Sequence, residues 1–264
     1  MQSVTANTFS QVDIDTKQPT LLFSNNGHEI YWLGIPDETA FRCNAYLIKD
    51  GDDAIIVDPG NKGFFEFVKK RVAQIMDPKK VMGQILCHQD PDVAASMPDW
   101  LQVNAKMKVF STPRAQVLLL HYGAKGYDFY DVSAEPEFTF SSGNTLKFIE
   151  APFLHFSGAF VTYDVQSCYL FSGDIWAALD IDWTLVVKDF AYHAGKMDLF
   201  HLDYMSSNLA ARGFIKRLQD IQLPIDAILP QHGSIMGKRH VQSALDYMKN
   251  LRCGTDIIYA DLVE

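Results

Sequence analysis

The chain predicts an α+β fold of αββα type, two mixed β-sheets packed face to face with helices on the outer faces. Short β-type runs alternate with helical segments, and the strands outnumber the helices. No linker or low-complexity stretch interrupts them, so residues 25–264 read as a single domain after a polar N-terminal arm, 1–24. Finally, 48% hydrophobic content over 264 residues suffices for a large core.

The elements follow in order. EIYWLG (29–34), CNAYLIK (43–49) and AIIVDPG (54–60) read as successive strands, with GD (51–52) as a hairpin turn. FFEFVKKRVAQIM (64–76) carries apolar residues at helical spacing and stops before Asp77-Pro78. QILCH (84–88) is a strand, PDWLQVNA (98–105) a helix and MKVFS (107–111) a strand. TPRAQVLLLHYG (112–123) has proline near its start and glycine at its end, the usual asymmetry of a helix. EFTFSSGNTLKFIEAP (137–152) and AFVTYDVQSCYLFSGD (159–174) read as two hairpins, and residues 175–203 carry no clean assignment. YMSSNLAARGFIKRLQDI (204–221) predicts a long amphipathic helix, DAILPQHG (226–233) a strand and turn, and HVQSALDYMKNLR (240–252) a closing helix.

Charge and cysteine usage narrow the function classes. Lys+Arg 23 against Asp+Glu 32 gives a net charge of −9, which argues against nucleic acid or an anionic membrane as main partner. No apolar run reaches the ~20 residues of a membrane span, and the polar first twenty residues lack the apolar stretch of a secretion signal. Cys43, Cys87, Cys168 and Cys253 are widely spaced and form no CxxC pair, which suits buried reduced thiols in a cytoplasmic protein.

One regularity carries chemistry. Four apolar strands each end in a metal-type side chain: QILC leads into His88, LKFIEAPFL into His155, CYLFSG into Asp174 and AILPQ into His232. Asp90 and Asp92 alternate with His88 and bring the set to three imidazoles and three carboxylates. A lone histidine at a strand end is more often a hydrogen-bonded structural residue. Asp-Pro-Asp is ordinary turn chemistry, and Asp174 fits a helix N-cap. Four such coincidences together favour a metal site, because sheet proteins build sites in the loops past strand ends. With no thiolate in the set, a structural zinc site is disfavoured; carboxylate and imidazole suit iron or manganese, with zinc as competitor. Two divalent ions carry four positive charges, of which Asp90, Asp92 and Asp174 remove three and one bridging hydroxide the last; the expected bridge is a hydroxide or oxo group. An oxidised diferric pair would keep an excess that bound peroxide balances, which favours redox chemistry with O2 over hydrolysis.

The spacing His88-x-Asp90-x-Asp92, then His155, Asp174 after eighteen intervening residues, and His232 in a PQHG turn resembles the metallo-β-lactamase fold. Within it the pattern is closest to the diiron domain of flavodiiron proteins, over roughly residues 25–240. EIYWLGIPD, CNAYLIKDGDDAIIVDPG, YLFSGDIWAAL and YMSSNLAARGFIKRLQDIQLPIDAILPQHG share in the likeness. The fold's hydrolases generally have histidine at the place of Asp90, and a carboxylate there marks the iron-binding branch. Val93 stands at the place of a second-metal histidine. The chain has no phosphate-binding loop of a flavodoxin domain, hence no expected FMN.

Together these features resemble the stand-alone oxygen-binding diiron proteins. The resemblance implies two iron ions: His88, Asp90 and His155 on the first, Asp92 and His232 on the second, Asp174 bridging. The second iron then has three protein ligands and an open position. Asp58 would orient a ligand histidine through its other ring nitrogen, and no catalytic residue is assigned. His193, His201, His28, His121 and His240 are the spare imidazoles; His193, in a DFAYHAG loop, is the candidate extra ligand or lid residue. Trp176, Trp183, Phe190 and Tyr192 read as core or lid packing rather than a substrate box. The implied function is O2 binding, reversible or as a stable ferric-peroxo adduct, in an oxygen sensor rather than an enzyme. Its partner would be a signalling protein of chemotaxis or another output system, and a homodimer is left open. Alternatives are an O2 or NO reductase with a separate electron donor and a zinc hydrolase.

Overall fold

The computed structural model describes residues 2–3, 17–34, 41–179 and 183–262. Sheet one contains β1 (Gln2–Ser3), β2 (Thr20–Asn25), β3 (His28–Trp32), β4 (Tyr46–Asp50), β5 (Asp53–Val57), β6 (Gly83–Ile85), β7 (Lys108–Ser111) and β8 (Asp128–Asp131), in that spatial order. Its middle strands β2 to β5 form an antiparallel meander, and β5 to β8 run parallel. Sheet two has the order β14-β13-β12-β11-β10-β9. These strands are β9 (Glu137–Thr139), β10 (Thr145–Glu150), β11 (Phe160–Asp164), β12 (Tyr169–Gly173), β13 (Ala227–Pro230) and β14 (Met236–Gly237). The helices are α1 (Phe65–Ala73), α2 (Pro91–Ala94), α3 (Met97–Val103), α4 (Pro113–Leu119), α5 (Phe190–Tyr204), α6 (Asn208–Ile221), α7 (Lys238–Asn250) and α8 (Thr255–Ile258).

The two-residue period of a strand divides its side chains between two layers. In β5, Ile55 and Val57 face the inter-sheet core, whereas Ala54 and Ile56 face Val68 and Val72 of α1 and Trp100 of α3. In β12, Tyr169 and Phe171 enter the same inter-sheet core, while Leu170 packs under Phe200 of α5, Phe214 of α6 and Met248 of α7. Both sheets are thus apolar on both faces. That is why these strands read as continuous hydrophobic runs and why helices must cover each outer face. Each fully buried Leu, Ile or Phe contributes about 1.5–3 kcal/mol. The αββα sandwich expected from the element order is the observed one.

Several elements differ from expectation. The last part of the expected arm is β2: Thr20 and Leu22 are fully buried while Leu21 and Phe23 lie partly exposed, so the period-two pattern continues back past residue 24. Most of residues 1–16 lies outside the described set. The long helix over 204–221 is divided. Met205 is extended, and the Ser207 hydroxyl accepts the Ala210 N–H to start α6 at Asn208. The unassigned stretch supplies α5. Asp189 accepts the N–H groups of Ala191 and Tyr192 as N-cap, and His193, Met197, Phe200 and His201 form its buried stripe. The aromatic and polar residues of that stripe masked the helical period in the sequence. β8, with one exposed and three half-buried residues, and α8 also went unpredicted.

Candidate metal centre

Six predicted residues converge at one end of the sandwich, where strands of both sheets finish. His88 follows β6. Asp90 starts α2, whose first turn holds Asp92 next to Pro91. His155 sits in the β10–β11 connection, Asp174 directly after β12 and His232 two residues after β13. Asn44 fixes the last of these against sheet one: its amide donates to the carbonyls of Pro230 and Gly233 and accepts from Trp32 Nε1, at 2.9 Å each. The Tyr46 hydroxyl donates to the Pro230 carbonyl at 2.8 Å. Buried polar groups without partners cost roughly 1–3 kcal/mol each, so this network holds the His232 turn in a single place.

The side chains form two groups that share one carboxylate. His155 Nε2 lies 3.1 Å from both Asp90 Oδ2 and Asp174 Oδ2. His88 Nε2 lies 3.2 Å from Asp174 Oδ2 and 3.5 Å from Asp90 Oδ2. In the second group His232 Nε2 is 3.1 Å from Asp92 Oδ2 and 3.5 Å from the other Asp174 oxygen, Oδ1. Cys43 joins this group, with Sγ 3.8 Å from Asp92 Oδ2. The donor atoms lie within 4.8 Å of one another in each group, His88–Asp90–His155–Asp174 and Cys43–Asp92–His232.

This arrangement fits a metal pair. His88 Nε2 and Asp174 Oδ1 are buried and lack hydrogen-bond partners, which a coordinated ion would supply. Imidazole and carboxylate donors with the two oxygens of Asp174 facing separate groups suit two divalent ions. In the metal-free protein the charges respond to one another. Burial opposes protonation of His155, yet Asp174 and Asp90 outweigh it and raise its pKa to about 9. Burial also disfavours charge on Asp174, but the three imidazoles hold its carboxyl well below the usual range.

Other expected residues fall into place differently. Asp58 is buried, and its Oδ1 accepts the backbone N–H of Cys87 at 3.0 Å instead of an imidazole N–H. The Nδ1 of His88 faces Cys87 Sγ at 3.0 Å. Asp58 therefore positions His88 through the chain rather than through the ring. Val93 is fully buried in an apolar cluster with Leu86, Met97 and Leu119, so its side chain belongs to the core. His193 is no lid-loop residue: it lies on the buried face of α5 and in neither donor group. Of the other spare imidazoles, His201 Nε2 accepts the Trp176 N–H at 2.9 Å and Nδ1 donates to Met197 O, which steadies the loop carrying Asp174. Burial holds its pKa down to about 4, in keeping with a neutral ring. His28 belongs to a separate buried ion network, His121 lies in the 3₁₀ turn after α4, and His240 stacks on Phe190.

Sequence reasoning missed the wall of the site. Phe200 and Tyr204, one helical turn apart on α5, stack at 4.6 Å between centroids and meet His155 edge-on at 6.0 and 5.9 Å. Phe41 meets His232 edge-on at 5.4 Å. Trp176 is core, its indole donating to Ala244 O, and Trp183 stacks on Trp32. Cys43 was missed because no spacing links it to the other donors.

No helix among the described residues is long and apolar enough to cross a membrane. The chain is 28% identical over 233 residues to the nitric oxide reductase of Moorella thermoacetica, covering 79% of this chain and 56% of that one. It is 26% identical over 168 residues to diflavin flavoprotein A 1 of Synechocystis sp., covering 61% of this chain and 29% of that one. The chain thus spans less than two thirds of the length of these curated relatives. Among solved structures, the peroxy diiron species of chemotaxis sensor ODP superposes with a TM-score of 0.80 at 28% identity, covering 93% of this chain and 100% of that one. The apo state of chemotaxis sensor ODP from T. denticola gives 0.78 at 29% identity, covering 93% and 99%. The fold is that of the metallo-β-lactamase-like diiron domains, and the model of the family described as ODP family beta lactamase matches residues 41–233, so this chain belongs to that family.

Proposed function

We propose that the chain holds two iron ions and binds O2 at them, as an oxygen sensor that reports to a signalling partner. His88, Asp90 and His155 would hold one ion, Asp92 and His232 the other, and Asp174 both. The observation that carries this reading is the shared carboxylate: its two oxygens face separate donor groups. Its support is the likeness to sensor structures over nearly the whole of both chains. A ferrous pair supplies, when bound, the electrons that O2 takes up. The residues of the chain do the rest. Asp90 gives the first group a carboxylate, which suits iron better than an all-imidazole set. Phe41, Phe200 and Tyr204 place ring edges against the site imidazoles. Asn44 and Tyr46 hold the His232 turn while the charge of the centre changes.

A second reading, reduction of O2 or NO with electrons from a separate donor, draws on the likeness to the nitric oxide reductase. The experiment that divides them loads the full chain with Fe(II) without air and mixes it with O2 in the presence of a chemical reductant. The sensor takes up O2 in proportion to its iron pairs, shows a persistent charge-transfer band and then stops. Sustained O2 consumption favours the reductase. Protein purified without air that contains zinc alone overturns both and leaves the zinc hydrolase.

A further inference from the structure

The second donor group contains a thiol that the ligand pattern of the sequence does not include. Cys43 is 6% exposed and precedes β4. Its backbone forms an isolated antiparallel bridge with that of His232. The Asn44 N–H donates to Gln231 O at 2.6 Å, and His232 Nδ1 lies 3.2 Å from the Arg42 carbonyl. These contacts on both sides of Cys43 fix the register of the two segments. They bring Sγ beside the Asp92–His232 pair, and no helical or strand spacing could have predicted that.

The thiol lies 3.5 Å from the Phe41 carbonyl and 3.8 Å from Asp92 Oδ2, ordinary distances for a sulfur donor, and it also faces the His232 imidazole. Asp174 independently points to a ligand here. Its carboxylate is buried, and Oδ1, the oxygen on the His232 side, has no hydrogen-bond partner. Without Cys43 this half of the centre has two unshared donors, Asp92 and His232, beside the shared Asp174. The position where a further imidazole would stand holds Val93, whose side chain faces the core.

We propose that Cys43 is a thiolate ligand of the second metal ion and completes a Cys43–Asp92–His232–Asp174 set. On binding, the thiol loses its proton to solvent and the sulfur donates a lone pair to the metal; no electron changes hands. A sulfur donor makes the two ions inequivalent, since one has only nitrogen and oxygen donors from the protein and the other has sulfur. Soft thiolate also shifts the preference of that half toward iron, zinc or copper and away from manganese or magnesium.

The proposal rests on the two-metal reading, and its test separates the two. The full chain is loaded with Fe(II) without air, its iron content is measured, and the iron K-edge absorption fine structure is recorded. The expected result is two ions per chain and a sulfur shell at about 2.3 Å, the usual metal–thiolate length. The shell disappears in Cys43→Ser and persists in Cys168→Ser, a cysteine outside both donor groups. Two ions per chain with nitrogen and oxygen scattering alone in the unsubstituted protein overturn the thiolate and leave the pair. A sulfur shell that survives Cys43→Ser overturns it as well, by assigning the sulfur elsewhere. One ion per chain with a sulfur shell lost in Cys43→Ser supports the thiolate and overturns the pair; one ion without sulfur overturns both.

Discussion

Asp58 accepts the backbone N–H of Cys87 at 3.0 Å, one residue before His88 enters the site. The carboxylate is buried, and burial pushes its pKa up to about 6 against the opposing pull of the Cys87 N–H and of the His88 charge. Asp58→Ala leaves the Cys87 N–H unpaired in the interior, a cost of about 1–3 kcal/mol. Loss of such outer support typically weakens metal binding about 10–100-fold. Asp58→Asn keeps an acceptor and is expected to lose less of both. Urea midpoints and competitive Fe(II) titrations on the same preparations check the pair of variants.

Asp174 is the one carboxylate that reaches both donor groups. Asp174→Ala is expected to abolish binding at both positions, whereas Asp92→Ala should spare the His88–Asp90–His155 group. Metal content by elemental analysis after Fe(II) loading decides. Full stoichiometry in Asp174→Ala would show that the carboxylate is not shared.

His28 bridges the two sheets away from the metal centre. Its Nδ1 lies 2.7 Å from Asp50 Oδ2, and its Nε2 lies 3.1 Å from Asp164 Oδ1, all three buried. Asn144 supports Asp50, and Ser167 supports Asp164 through its hydroxyl and its N–H. Burial disfavours the imidazolium, but Asp164 and Asp50 outweigh it and raise its pKa above 6.5. A raised histidine pKa contributes stability that is complete below the unfolded value of 6.5 and disappears as pH rises through the folded one. Asp50 runs the other way: burial raises its pKa, but bonds from Ser142, Asn144 and His28 bring it below 3.8, so its contribution is lost in acid. Metal-free protein compared at about pH 6 and about pH 9 should therefore lose stability as pH rises above the unfolded value. In His28→Gln that slope should be smaller and the stability at about pH 6 lower by about 3–5 kcal/mol, the cost of stripping a buried pair of its partner. Urea midpoints of both proteins at the two pH values give the comparison; equal slopes would remove His28 as the cause.

Phe200 is 2% exposed and stacks on Tyr204 over the site imidazoles. Phe200→Ala is expected to cost about 3–5 kcal/mol through the cavity it leaves. It should also let water reach the centre from that side, so bound iron should leave faster when a chelator is added. A stability loss with unchanged release would limit Phe200 to packing.

Much of the fold was legible because period-two apolar runs and turn residues survive in local sequence. The GD turn between β4 and β5 and the hairpins β9–β10 and β11–β12 were readable for that reason. α5 was not, because His193 and His201 occupy its buried face; their polar rings find partners or shelter only after folding. The break at Met205 is likewise decided by Ser207 capping α6, a choice between two good helical stretches that periodicity alone joins. Six candidate donors were legible because four of them close an apolar strand, and Asp90 and Asp92 alternate with the first of these.

The sequence by itself determined the sandwich and the donor types, since strand period, turn chemistry and the placing of His and Asp after strands are local properties. Only the tertiary structure decided which donors share a site. It gave each oxygen of Asp174 a different group, sent Asp58 to a backbone N–H, turned Val93 into the core and brought Cys43 beside His232. The physical reason is register. Cys43 and His232 are distant in the chain, and the backbone bridge between their segments exists only once the two sheets have packed.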